Sequence, residues 1–292
     1  MSLQAHLETG VTTLARAWAI DRRDGVTLGF TDHDHDLEFE GIRFRASSGM
    51  TARALQQTTG LAVDNTEAVG ALSDASITEA NIRAGRFDGA ALRIWLVNWA
   101  NTEERRLEFR GSLGEVVRTG AAFRAELRGL GEALTQAGGR VFQSACTAAL
   151  GDARCGFDVS QPGYRVELPV QAVEDDERLF FPDLAGFAPR WFEKGMIEVQ
   201  SGRAAKLTGA IKDDRSLPDG RRRITLWQRL GAELAAGDLV SLTAGCDKQP
   251  DTCRVKFSNF LNFQGFPHIP GEDWLMAVPR QGGVNDGGSL KR

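Results

Sequence analysis

Two cysteine pairs constrain this chain more than any other feature of it. Cys146 and Cys155 are spaced C-x8-C, Cys246 and Cys253 are spaced C-x6-C, and these four are the whole cysteine content of 292 residues. The 90 residues between Cys155 and Cys246 contain none. Thiols grouped in this way ask for one site that joins two distant segments. The opening MSLQAHLETG carries a His, a Glu and no apolar run, so no signal peptide is expected and the chain is read as made in a reducing bacterial cytoplasm. In that compartment paired cysteines more often bind metal than form disulfides.

Spacing leaves three readings of the thiols open. All-cysteine zinc sites usually draw on knuckles with two to four residues between ligands, and these gaps are wide for them. A [4Fe–4S] cluster needs four thiolates around a larger core and accepts wide, irregular spacing. The third reading, four unrelated buried cysteines, does not account for two tight pairs. Cys155 opens a second domain and Cys246 closes it, so a ligand bridging the pairs would pin that domain's ends together. In the chain-entropy account, closing a loop of ~100 residues contributes about 4–5 kcal/mol, a large share of a domain's stability. No His lies near any cysteine in sequence to activate a thiol nucleophile, so a structural centre is expected. Arg154 and Arg254 stand where they could offset thiolate charge, and Asp152 and Asp158 are expected to point away from it.

The remaining sequence reads as mainly β. Hydrophobic residues at 42% and charged residues at 25% are ordinary globular values, and the length suits two domains. A net charge of −4 gives no basic footprint, which argues against sequence-specific nucleic-acid binding. The longest apolar stretch, Ala90 to Ala100, is broken by Arg93 and Asn98 and is too short for membrane insertion. A helix over Leu3–Glu8 leads to a strand through Leu14, Ala17 and Ile20. Asp24-Gly25 and Glu40-Gly41 mark two hairpin turns. Two irregular strands are expected within Met50–Ser73, and Ser76 with Glu79 forms a capping box for a helix that stops near Ala84-Gly85. Ala91–Val97 reads as a buried strand. Strands at Arg106–Arg110, Gly114–Arg118 and Ala122–Arg128 follow, then a short helix over Leu130–Gln136. Six more strands follow Cys155: Tyr164–Val170, Arg178–Phe181, Gly195–Gln200, Lys206–Lys212, Arg222–Gln228 and Asp238–Thr243. Phe257–Trp274 reads as an irregular arm and Gln281–Arg292 as a Gly-rich mobile tail. The expected fold is mainly β, with two small β-barrel or sandwich domains, a few short helices and an irregular C-terminal arm. Its divisions are 1–145, 146–253 and 254–292. No βαβ succession or nucleotide loop is present, which removes most α/β enzyme classes.

Asp32-His33-Asp34-His35-Asp36 is the loudest local motif. On an extended backbone His33 and His35 share a face, so a metal-dependent hydrolase is the rival reading. The plainer reading is a polar junction whose carboxylates cap backbone amides. Arg221-Arg222-Arg223 reads as a solvated hairpin end, and Trp95 and Trp99 as core packing.

At GFTDHDHDLEFEG, IWLVNW, CTAALGDARC and CDKQPDTCRVKFSNFLNFQGFPHIPG the chain resembles the tail-tip hub proteins of long-tailed phages and of Rhodobacter-type gene transfer agents. The similarity runs over about residues 8–279. The paired-cysteine layout is also similar to that of the tail tip protein L of phage lambda. The resemblance implies a non-enzymatic component of a phage-like particle, located at its tail tip or baseplate. It implies a homotrimer below the ring of distal tail protein, adapting a sixfold tube to a central tip or fibre protein. A tape measure protein and a tail-associated peptidase would be further partners. It also implies that Cys146, Cys155, Cys246 and Cys253 hold one [4Fe–4S] cluster per subunit, with zinc as the alternative, and that the arm after Cys253 contacts neighbouring subunits. It gives the Asp/His run no role.

Overall fold

The computed structural model describes residues 3–46, 50–52, 65–71, 77–119, 122–129, 131 and 139–269. The chain forms two compact units. Unit 1 consists of Met1–Gly138 with Val199–Leu207 and Leu230–Leu234, and unit 2 of Gly139–Glu198, Thr208–Arg229 and Ala235–Arg292. The protein is mainly β, as its turn pattern predicts: the described residues form two sheets and a few short helices.

Unit 1 opens with helix α1 (Leu3–Leu7). Its strands are β1 (Leu14–Asp21), β2 (Thr27–Thr31), β3 (Leu37–Phe39), β4 (Ile42–Arg45), β5 (Met50–Ala52), β6 (Asn65–Ala71), β7 (Ala91–Asn98), β8 (Arg105–Thr119) and β9 (Ala122–Gly129). They form one nine-stranded sheet in the order β3-β4-β2-β1-β7-β8-β9-β6-β5. Both predicted hairpins are present. Arg22 N donates to Val26 O (2.9 Å) across the first. Glu40 (φ 51°) and Gly41 (φ 71°) make the second, the left-handed pair that a two-residue turn needs. Strand β1 is buried on both faces. Trp18 and Ile20 join Phe30, Leu92, Ile94 and Phe109 on one side. Ala15, Ala17 and Ala19 on the other leave room for Phe39, Phe44 and Trp95, with Phe39 and Phe44 stacked at 4.2 Å.

Unit 1 departs from expectation in two places. Arg106–Arg110 and Gly114–Arg118 are one strand, because β8 is hydrogen-bonded on both edges and absorbs its Gly111-Ser112 break as a register shift against β9 between Leu113 and Val116. Helix α2 (Glu79–Arg83) is capped by Thr78, whose side chain accepts from Asn81 N at 3.2 Å; Ser76 lies outside the described residues. The expected helix over Leu130–Gln136 also lies outside them, apart from Gly131.

Unit 2 contains β10 (Arg165–Pro169), β11 (Ala172–Glu174), β12 (Arg178–Phe181), β13 (Met196–Val199), β14 (Thr208–Ser216), β15 (Arg222–Leu226) and β16 (Leu239–Thr243), in the sheet order β10-β16-β13-β14-β15-β12-β11. All six strands read from the sequence are there. The additional β11 pairs with β12 across Asp175 and Asp176, both at positive φ. Arg222 corrects the reading of the arginine run as solvated. Fully buried, it donates to Asp214 Oδ2 (2.8 Å) and Ala188 O (2.7 Å), while Asp214 Oδ2 accepts from Phe192 N (2.9 Å). This pair ties β14 and β15 to the loop that precedes β13. Helix α3 (Pro250–Val255) and a 3-10 turn (Phe260–Asn262) follow the sheet.

Candidate metal centre

Cys146, Cys155, Cys246 and Cys253 line one hollow in unit 2, and all four are free thiols. The first two sit in coil ahead of β10, Cys246 follows β16, and Cys253 is carried by α3. That helix starts with Pro250, whose fixed φ and missing N–H suit a first turn. Asp247 supports the entry by accepting from Gln249 N (3.0 Å) and Thr252 Oγ1 (2.9 Å). Gly245 permits the approach: a Cβ there would stand 1.6 Å from Glu193 O. The two pairs are stitched together directly, Cys146 N donating to Lys248 O (2.9 Å) and Lys248 Nζ to Ala148 O (2.6 Å). Lys248 (φ 66°) and Ser258 (φ 48°) hold left-handed backbone on either side of α3, a conformation that non-glycine residues adopt only where the surroundings enforce it.

Residues after Cys253 fold back over the thiols. Gln264 N donates to Cys146 Sγ (3.4 Å), and Asn259 Nδ2 donates to Cys155 O (2.7 Å) and approaches its Sγ (3.6 Å). Tyr164 Oη donates to Lys256 O (2.8 Å), and Phe257 packs with Phe157 and Tyr164. Phe266 N donates to Gln143 O (2.9 Å). Up to Ile269, then, the stretch expected as an irregular arm lies on its own unit, where its amides and rings find partners. The rest of that stretch lies outside the described residues.

Burial, and then the other three thiols, push the Cys253 thiol up to about 11, and burial also raises Cys246. Of the cations expected beside the centre, Arg154 and Arg254 are mostly exposed and face Asp152 and Asp251. Lys248 and Lys256 are the inward ones. Lys256 Nζ donates to Trp191 O (2.6 Å) and Gly245 O (2.8 Å) and lies 4.3 Å from the Trp191 ring centroid. Asp152 turns to backbone, accepting from Cys155 N (2.7 Å), Ala149 N and Arg154 N, and the Cys155 amide foremost holds its carboxyl below the usual range. Asp158 accepts from Ser160. Among the described residues, no three His, Cys, Asp or Glu side chains converge on a point suited to a single metal ion.

The Asp/His run forms a bent loop between β2 and β3, so His33 and His35 do not project side by side from a strand. His35 N donates to His33 Nδ1 (3.0 Å), and the His33 ring lies 4.9 Å from that of Trp99, which is 41% exposed rather than core. Asp32 Oδ1 accepts from Arg16 N, and Asp36 Oδ1 from Ala46 N. This is the amide-capping junction of the plainer reading.

Residues 1–158 match the family described as baseplate hub protein, N-terminal attachment domain. The chain belongs to the baseplate hub protein family. Residues 190–273 of this hub protein match a second family, the phage conserved hypothetical protein BR0599. Over 99% of both chains it is 57% identical to a chain in the solved virion of a native gene transfer agent particle, with a TM-score of 0.90. A proposed oxidoreductase from Sinorhizobium meliloti 1021 aligns over 90% of this chain and 98% of its own at 10% identity and a TM-score of 0.21, too weak to bear on fold or chemistry. Curated proteins give no match. Sequence reading overlooked Lys248, Lys256, Asn259 and Gln264 of the hub protein. Pro250 followed by Asp251 was the signal that could have marked α3.

Proposed function

We propose that this hub protein is a structural component of the tail tip of a gene transfer agent particle, not an enzyme, and that its four cysteines hold one [4Fe–4S] cluster. The observation that carries the particle role is the full-length likeness, at 57% identity, to a chain of such a virion. In that role it assembles as a homotrimer that adapts the distal tail ring to a central tip or fibre protein, with the tape measure protein and a tail-associated peptidase as further neighbours.

Support for the cluster comes from the donor set. Four thiols ring one hollow, and two of them are approached by N–H groups. Once bound, the cluster would supply covalent closure between the chain before β10 and the chain after β16. Nothing observed favours the hydrolase reading of the Asp/His run.

Native mass spectrometry of the anaerobically purified protein, with iron and sulfide analysis, tests both parts. The expected result is three copies, each with four irons and four sulfides, and loss of iron and brown colour in Cys246→Ser. A colourless wild-type protein, or a Cys246→Ser variant that keeps its iron, rejects the ligand assignment. A monomer at particle-like concentrations rejects the trimer.

A further inference from the structure

Lys248 lines the cysteine hollow and Lys256 reaches Gly245 beside Cys246, and neither forms an ion pair to a carboxylate among the described residues. The ammonium of Lys248 donates to Ala148 O, and that of Lys256 to Trp191 O and Gly245 O. Lys256 also sits over the faces of Trp191 and Phe257, at 4.3 and 5.4 Å from their centroids. The acids that act on Lys256 are committed elsewhere: Asp247 accepts from Gln249 N and Thr252 Oγ1, and Asp214 from Phe192 N and Arg222. Carbonyls and ring faces solvate a cation in part, but a half-buried ammonium without a counter-ion costs stability. Two of them beside one site call for negative charge there. Cys246 is the thiol both approach: Lys248 lines the hollow two residues beyond it, and Lys256 reaches the carbonyl of Gly245 directly before it.

We propose that Lys248 and Lys256 are the fixed counter-charges of the four-cysteine centre. This rests on the cluster reading. A resting four-iron core carries two positive charges and its thiolates four negative ones, so the assembly is doubly negative, and two ammonium groups balance it. Neither lysine is a ligand. Both are positioning residues that favour the loaded centre over the empty one, and both make it easier to reduce, because the added electron enters beside positive charge.

The test uses the full-length protein, purified anaerobically as wild type, Lys256→Met, Lys256→Arg, Lys248→Met and Arg254→Gln. Iron and sulfide content, circular dichroism and the midpoint potential of one-electron reduction are measured. Each Lys→Met change is expected to leave the dichroism intact and to make reduction about tenfold less favourable, a shift of about 59 mV to lower potential. Lys256→Arg restores most of the potential, and Arg254→Gln, at an exposed position facing Asp251, leaves it unchanged. A purely structural role for the lysines would alter melting but not the potential. Should Lys256→Met fail to fold, Lys248→Met decides. Lysine variants that keep both iron and the wild-type potential overturn the inference and leave the cluster standing. A wild-type protein without iron overturns the cluster and this inference with it.

Discussion

Cys253 shows how a single side chain reports on the whole centre. Its thiol titrates at about 11 against an ordinary 9.0, through burial and then the three neighbouring thiols. In the metal-free protein the fold therefore holds a proton that the unfolded chain releases. That contribution to stability is present in full below about pH 9 and is lost as pH rises towards 11. Urea midpoints of chelator-treated protein should fall across this window, and Cys253→Ser should flatten the slope. A slope unchanged by the substitution would assign it elsewhere. Metal loading needs thiolates and releases these protons, so it should strengthen over the same range. The cysteines were legible in the sequence because their grouping is itself the signal. The two lysines were not. Their roles come from carbonyls that the fold delivers, Ala148 to Lys248 and Trp191 to Lys256, and no local pattern announces such a bond.

Elements were legible where turn chemistry is explicit. Asp24-Gly25 and Glu40-Gly41 fixed two hairpins because few residues tolerate the backbone that those turns require. Strand β8 was read as two, since Gly111-Ser112 looks like a break until partners on both edges hold it straight. Helix α3 escaped notice because six residues give too short a period to detect. The arginine run misled in the opposite direction: alternation along β15 puts Arg222 inside with Ile224 and Leu226, while Arg223 is half-buried and Arg221, before the strand, is exposed. Asp214→Ala should therefore cost unit 2 about 3–5 kcal/mol, by leaving the buried guanidinium unpaired. The double change Asp214→Leu with Arg222→Met should cost clearly less. Urea denaturation of the three proteins checks this, and equal losses for single and double variants would count against the pairing.

For the molecule as a whole, the mainly β class and the existence of two units follow from short strands at turn-marked intervals. The return of Val199–Leu207 and Leu230–Leu234 to unit 1 was not legible, because periodicity tells which face of a strand is buried and not which body a loop joins. Arg86 Nη2 donating to Arg203 O (3.0 Å) is the kind of contact that decides it. At this scale the Asp/His run is expected to be dispensable. A strain carrying His33→Ala with His35→Ala should produce particles with normal tails and normal gene-transfer titre; bare tail tips would restore a functional role to those imidazoles.

The backbone stitching around the cysteines also sets a load path. Phe266 N donates to Gln143 O, Thr147 N to Gln264 O, and Cys146 N to Lys248 O, with Gly265 so close that a Cβ would stand 2.6 Å from Ser144 O. Tension entering unit 2 at Gln143 and leaving at Phe266 crosses from one strand of chain to the other over a few ångströms. Strands β10 to β16 lie between those two points along the chain, with Val199–Leu207 and Leu230–Leu234 leaving them for unit 1, so the junction offers tension a path that bypasses the sheet.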